Sequence, residues 1–168
     1  MAKRRCRSRW LAAGAFLIAA AGVLLVPPGG LDARAASEGL VELTIEKPFA
    51  QAWKDLEAAV KANKMGIVAR ASASRGAAAR GITIPGNAVI GVYRNDFAVK
   101  MLEASLQAGI EAPIRFYLTE NADGTTALSY KTPSAVFASY GSDDLNSLAK
   151  ELDMIFAAIA EAAGGVSR

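Results

Sequence analysis

The sequence predicts an α+β fold: helices packed on a mixed sheet of about five strands, with a hairpin in the C-terminal half and a long terminal helix. Short apolar runs that alternate with polar residues indicate strands, and longer runs at the helical period indicate helices. The patterns follow one another as strand, helix, strand, short helix, strand, helix, hairpin, short helix, long helix. This order favours one layer of helices on one sheet.

The first strand and the first helix are predicted between residues 41 and 66. Apolar and polar residues alternate over 41–45, which is typical of a half-buried strand. Pro48 is tolerated in a first helical turn, and residues 63–66 end the helix. The apolar residues between them lie at helical spacing: Phe49, Trp53, Leu56 and Val60.

A low-complexity stretch separates the second strand from the third. Residues 67–71 are predicted to form a strand, and residues 71–81 are a loop with a short helix, rich in Ala, Ser, Arg and Gly. Arg75 and Arg80 in this stretch could hold an anion. A solvated surface connection is the favoured interpretation.

A central strand and a second long helix are predicted in the middle of the chain. Asn87–Tyr93 is nearly all apolar, as expected of a strand covered on both faces. Gly109 ends the helix that follows. The apolar residues of this helix are Phe97, Met101, Leu102 and Leu106.

A hairpin is predicted around Gly124, with apolar residues alternating on both sides of the turn. A three-residue loop with Gly124 left-handed places Leu118 opposite Leu128 and Phe116 opposite Tyr130. A two-residue loop would shift one strand by a residue and mix apolar with polar side chains on each face. The three-residue loop is therefore predicted.

The terminal helix has the clearest amphipathic pattern in the chain. Ser142 is suited to the N-cap, and Asp143 and Asp144 suit the positive end of the helix dipole. Gly164 and Gly165 end the helix. Its apolar stripe consists of Leu145, Leu148, Leu152, Ile155, Phe156 and Ile159.

Residues 1–35 have the organisation of an export signal. Five basic residues precede an uncharged apolar run at 10–26, which Pro and Gly residues break. Ala33 and Ala35 have the spacing that signal peptidase recognises, which predicts cleavage after Ala35 and a single mature domain at 36–168. Cleavage would place the protein in the periplasm or outside the cell. The alternative is an uncleaved segment that anchors the domain to the membrane, its only membrane contact.

Removal of the signal changes the charge of the protein. The chain has 19 basic and 16 acidic residues, and six of the basic and one of the acidic residues lie in 1–35. Residues 36–168 therefore carry a net charge of −2, so nucleic-acid binding through a basic surface is not expected.

The residue types that are missing restrict the chemistry further. The chain has no His, and its single Cys, Cys6, lies in the signal segment. These absences exclude the usual zinc, copper, haem and iron–sulfur sites, thiol nucleophiles and Ser-His-Asp triads. No metal, cofactor or catalytic residue is predicted.

Five short motifs occur between residues 81 and 141. They are Ile-Thr-Ile-Pro at 82–85, Met-Leu-Glu-Ala at 101–104, Gly-Ile-Glu-Ala-Pro-Ile-Arg at 109–115, Ser-Tyr-Lys-Thr-Pro at 129–133 and Phe-Ala-Ser-Tyr-Gly at 137–141. In order and spacing they resemble the domain-of-unknown-function family 302, bacterial and archaeal proteins with a compact α/β fold. The resemblance extends more loosely over residues 40–163.

This chain departs from the family at one turn. Where the family commonly has Gly-Asn-Pro after the central strand, this chain has Arg94, Asn95 and Asp96. The family has no agreed activity, so the resemblance implies a fold and no function.

The polar face of the hairpin is the first candidate site. In the predicted register Arg115 lies opposite Lys131, and Tyr117 lies opposite Ser129. Two facing cations repel each other. A nearby acidic side chain would neutralise them, and so would a bound anion that accepts hydrogen bonds from Tyr117 and Ser129. The alternative is a solvated sheet face on which the two cations point apart.

The turn at Arg94 and Asn95 is the second candidate site. It follows an apolar strand and begins a helix, a common place for a ligand in α/β folds. Asp96 as the helix N-cap is the structural explanation of the same turn.

The preferred hypothesis is an exported, non-enzymatic domain that binds a small ligand, an anion at the first candidate site, or a protein partner in the cell envelope. One alternative is a structural or assembly module of the envelope. The other is a metal-independent enzyme that uses only carboxylate, Arg and Tyr groups. A carboxylate with a strongly raised pKa in a deep pocket would favour the enzyme, and a large exposed apolar patch would favour assembly.

Overall fold

The computed structural model describes residues 38–167. The predicted signal segment, its cleavage site at Ala33 and Ala35, and Trp10 lie outside the described residues. The strands are β1 (Leu40–Ile45), β2 (Gly66–Ala71), β3 (Asn87–Tyr93), β4 (Ile114–Glu120), β5 (Thr126–Lys131) and β6 (Gly165–Val166). The α-helices are α1 (Phe49–Ala62), α2 (Ala73–Ala78), α3 (Asn95–Ala104), α4 (Pro133–Phe137) and α5 (Asp143–Ala162). Two 3₁₀ helices lie at Leu106–Glu111 and Ala138–Tyr140.

The six strands form one sheet in the order β2-β3-β4-β5-β1-β6, and every neighbouring pair is antiparallel. The predicted α+β class is confirmed, but the sheet is antiparallel rather than mixed and has a short sixth strand. β1 and β2 do run in the same direction, as two strands joined by a helix are expected to. However, β3, β4 and β5 lie between them, so they are not neighbours.

The hairpin has the predicted register. Leu118 pairs with Leu128, and Phe116 pairs with Tyr130. Gly124 has φ +84°, and the backbone N–H of Asn121 donates to the carbonyl of Thr125 at 2.9 Å, which leaves residues 122–124 as the loop. The three-residue loop is thereby confirmed.

The core lies between one face of the sheet and the helices. Phe116, Leu118 and Leu128 are fully buried on this face. The Phe116 ring stacks on Phe156 of α5, and α1 contributes Leu56 to the same apolar cluster. Because side chains alternate along a strand, residues 115, 117, 119, 127, 129 and 131 are directed to the opposite face, called here the outer face.

The terminal helix begins as predicted, and its stripe is buried apart from the half-buried Ile155. The Ser142 hydroxyl accepts a hydrogen bond from the backbone N–H of Leu145 at 3.3 Å. The short helix predicted within 71–81 is α2, and the Ser72 hydroxyl caps it by accepting from the backbone N–H of Arg75.

The second long helix differs from its prediction at both ends. It begins at Asn95 with Arg94 in the N-cap position, so the prediction of Asp96 as the N-cap is wrong. It ends at Ala104 because Ser105 is extended, and a 3₁₀ helix continues the chain. Leu106 therefore leaves the apolar stripe and is 74% exposed.

Candidate functional site

Two neighbouring strands position the first candidate site on the outer face. β4 supplies Arg115 and Tyr117, and β5 supplies Ser129 and Lys131. Tyr117 pairs directly with Ser129. The same register places Arg115 opposite Lys131, one position beyond the Phe116–Tyr130 pair.

The two cations line one depression, called here the Arg115–Lys131 depression. It has a volume of about 220 Å³ and is bounded by Ile114, Ala135, Val136 and Glu111 in addition to the cations. Tyr117 is 43% exposed but lies outside this lining, as does Ser129. The depression therefore extends from the cations toward α4 and the first 3₁₀ helix rather than along the two hydroxyl groups.

Neither cation forms an ion pair with another of the described side chains. The ion pairs among residues 38–167 are Lys47–Asp55, Arg70–Glu57 and Arg94–Asp96, and none includes Arg115 or Lys131. The two cations outnumber the single acidic side chain of the lining, Glu111, so the depression keeps a net positive charge that an anion from solution would offset.

Glu111 is a member of the site that the sequence did not indicate. It lines the depression, and its Oε1 accepts a hydrogen bond from the Tyr140 hydroxyl at 3.0 Å. Burial raises the pKa of Tyr140, and the hydrogen bond to Glu111 raises it further. The carboxylate is therefore engaged with Tyr140. Glu111 is the last residue of the 3₁₀ helix at Leu106–Glu111, which no periodic pattern predicted, so only the tertiary structure places it beside the cations.

The second candidate site is separate from the first. Arg94 donates from Nε and Nη2 to the Asp96 carboxylate at 2.7 and 3.0 Å, and its guanidinium lies 4.1 Å from the Phe97 ring centroid. The hydrogen bond from Arg94 lowers the pKa of Asp96. Asn95 is exposed and forms no side-chain hydrogen bond with residues 38–167.

A small apolar cavity of about 40 Å³ lies beside Arg94. Met65, Met101 and Phe156 are among the side chains that line it. Its lining contains Arg94 but none of the four residues of the outer-face site. Because Arg94 is paired with Asp96, its charge at this turn is accounted for by a contact within the described residues and needs no ligand.

The carboxyl groups with shifted pKa values among the described residues are all hydrogen-bonded to cations. The carboxyl groups whose pKa is shifted are Asp55, Glu57 and Asp96, and in each a hydrogen bond from a cationic side chain lowers the pKa. No group of three carboxylates in residues 38–167 is arranged to hold a metal ion. Over the same residues, no helix has both the length and the apolar character to cross a membrane.

The family follows from a comparison of the whole chain. Residues 41–163 match the model of the family described as domain of unknown function DUF302. The chain belongs to the DUF302 family. The match runs from β1 to the residue after α5, so this DUF302 domain includes both candidate sites.

A solved DUF302 structure has the same fold. The crystal structure of an uncharacterised conserved DUF302 protein from Bacillus stearothermophilus is similar with a TM-score of 0.67 at 16% sequence identity. The similarity covers 75% of this chain and 98% of that one. At this identity the likeness concerns the fold alone. No curated protein matches the chain.

Proposed function

We propose that this DUF302 domain is exported and binds a small anionic ligand at Arg115 and Lys131 without transforming it. The facing cations carry the proposal, because they line one depression and have no ion-pair partner among residues 38–167.

The charge arrangement determines the class of ligand. Arg115 offers a planar fork of N–H donors that matches two oxygens of a carboxylate, phosphate or sulfate. Lys131 adds a second positive charge from the facing strand. A small anion would remove the repulsion between them, so part of the binding free energy comes from relief of an unfavourable pair.

Export rests on residues 1–35, with their basic start, apolar run and Ala33–Ala35 spacing. N-terminal sequencing of the protein recovered from the cell envelope or the medium tests this part. Ala36 as the first residue supports export with cleavage. An intact Met1 in a membrane fraction supports the anchored alternative, and an intact Met1 in the cytosol overturns export.

Thermal unfolding with added anions tests the ligand. The full-length protein is heated with acetate, sulfate or inorganic phosphate, using chloride at matched ionic strength as the reference. A ligand at ten times its Kd is expected to stabilise the protein by about 1.4 kcal/mol. No increase in Tm with any of the three anions overturns the proposal.

Matched variants locate the effect. The increase in Tm is expected to disappear in Arg115→Gln and Lys131→Gln and to persist in Lys150→Gln, an exposed cation on α5. An increase that persists in the first two variants places the anion elsewhere and overturns this site.

One observation favours the assembly alternative. Val99, Leu102, Leu106 and Ile110 are 48%, 42%, 74% and 82% exposed on α3 and the 3₁₀ helix that follows. Contiguous exposed apolar side chains are typical of interaction sites. Analytical ultracentrifugation distinguishes the assembly alternative from the binding proposal. A monomer whose Tm rises with added anions supports binding. Self-association that is lost in the Ile110→Ser variant supports assembly.

A further inference from the structure

An open cleft of about 480 Å³ lies between α1 and the edge strand β2. This volume falls in the range of small-molecule sites. Its lining combines aromatic and charged side chains and shares no residue with the Arg115–Lys131 depression. The lining residues are Phe49, Ala50, Trp53, Lys54, Glu57, Arg70 and Arg75.

Arg75 lies over an aromatic ring in this cleft. Its guanidinium carbon lies 3.8 Å from the centroid of the Trp53 ring. Trp53 is itself only 5% exposed and packs edge-on against Phe49, with 5.7 Å between ring centroids. The guanidinium therefore lies against a largely buried ring, to which a cation is attracted, and its N–H donors lie in the plane of the group.

The acidic group of the cleft is already engaged with other donors. Glu57 Oε1 accepts from Trp53 Nε1 and from Arg70 Nε, each at 2.7 Å. The hydrogen bond from Arg70 is the largest cause of the lowered pKa of Glu57, so this carboxyl stays ionised and paired.

Two cations of the cleft consequently have no acidic partner. The side chains of Arg75 and Lys54 form no hydrogen bond and no ion pair with residues 38–167. The sequence pattern favoured a solvated connection for Arg75, whereas the structure stacks it on Trp53 in a cleft. Arg80, its neighbour in the same low-complexity stretch, is exposed and absent from the lining.

We propose that this cleft is a second ligand site, for a small organic anion with an apolar body. The carboxylate or phosphate group of the ligand would be bound by Arg75 and Lys54. Its carbon body would pack against Phe49 and Ala50, which border the same cleft. The site is independent of the outer-face site, since it uses different residues on different elements.

Fluorescence of Trp53 provides a direct readout. The chain has two tryptophans, Trp10 and Trp53, so a Trp10→Phe variant leaves Trp53 as the only tryptophan of the full-length chain, and excitation at the red edge of its absorption avoids the tyrosines. Titration with phenyl phosphate is expected to change this emission with saturation. Inorganic phosphate, which lacks the apolar body, is expected to bind at least about tenfold more weakly, as burial of a phenyl ring against apolar side chains is worth that or more.

Variants distinguish the cleft from other cationic surfaces. Arg75→Gln is expected to weaken the binding of phenyl phosphate about tenfold, because a hydrogen bond between charged groups is lost. Arg80→Gln is the control and is expected to keep the wild-type Kd. Because Arg75 touches the fluorophore, isothermal titration calorimetry provides a second measurement for this variant. Lys131→Gln, which alters the outer-face site, is expected to leave the affinity measured by Trp53 fluorescence unchanged. The two proposed sites can therefore succeed or fail independently.

Three results would overturn the proposal. The first is the absence of any saturable signal with millimolar phenyl phosphate. The second is an unchanged affinity in a folded Arg75→Gln protein. The third is equal affinity for phenyl phosphate and inorganic phosphate, which would remove the role of the apolar wall.

Discussion

The Phe116 ring of β4 stacks on the Phe156 ring of α5, with 4.8 Å between centroids and 17° between planes. Tyr130, the cross-strand partner of Phe116, lies 5.0 Å from Phe116 and 5.9 Å from Phe156. These three rings join the long helix to the hairpin that displays the candidate site on its other face.

Phe156→Ala is expected to lower the free energy of unfolding by about 3 to 5 kcal/mol, because it leaves a cavity against two rings. Urea unfolding measures the loss. Met154→Ala on the same helix is the matched control: its side chain is 69% exposed, and we expect a change within about 0.5 kcal/mol. Equal losses in the two variants would contradict the central role of the aromatic cluster.

Thr126→Val tests a buried polar contact at the start of β5. The Thr126 side chain is fully buried, and its hydroxyl donates to the Lys47 carbonyl at 2.9 Å. Valine has the same shape without the donor, so we expect a loss of about 1 kcal/mol. Thr119→Val on the outer face, where the hydroxyl forms no hydrogen bond with residues 38–167, should leave stability nearly unchanged. A similar loss at both positions would indicate a general effect of the substitution instead.

Lys131→Gln is expected to stabilise the ligand-free protein by a few tenths to about 1 kcal/mol, because it removes the repulsion from Arg115. The gain should shrink in 1 M salt, where the screening length falls to about 3 Å. Urea unfolding at low and high salt measures both effects. Lys150→Gln serves as the control. A loss of stability at low salt would show that the cations do not repel each other in the folded state.

Stability should fall as the pH decreases below the ordinary carboxyl range. The pKa values of Asp55 and Glu57 are lowered from 3.8 and 4.5 by hydrogen bonds from Lys47 and Arg70, respectively. The unfolded chain therefore binds protons at a higher pH than the folded one, so this contribution is complete above the unfolded pKa and lost as the pH falls through the folded pKa. Urea unfolding across pH 3 to 6 should show a shallower decline in Glu57→Gln. An identical decline in the variant would be evidence against the Arg70–Glu57 contact.

Substitution of alanine for glycine is expected to change the stability of the protein in opposite directions at two positions. Gly124 has φ +84° in the hairpin loop, so Gly124→Ala is expected to destabilise by about 1 kcal/mol. Gly76 lies within α2, and an added methyl group would meet nothing within 4 Å, so Gly76→Ala should stabilise by up to about 1 kcal/mol. Thermal unfolding of both variants under one condition tests the difference in sign. A stabilising Gly124→Ala would contradict the left-handed loop and with it the hairpin register.

Local sequence patterns were sufficient to predict most helices and strands of this fold. The Ser142 cap and the stripe that follows it predicted α5, and the matching of Leu118 with Leu128 predicted the register that places Arg115 opposite Lys131. Such patterns succeed because helix caps, periodicity and turn geometry involve residues close together in the chain. The end of α3 was mispredicted, since Leu106 continues an apolar pattern that the backbone leaves at Ser105.

The amino-acid sequence by itself determined the α+β class, the strand pairing within the hairpin and the residue types available for chemistry. Only the tertiary structure decided that the sheet is antiparallel throughout, that Glu111 lies beside the two cations, and that Arg75 stacks on Trp53. The physical reason is distance along the chain. Strand order and side-chain stacking join residues from separate elements, and their free energy depends on how those elements pack, which no local pattern contains.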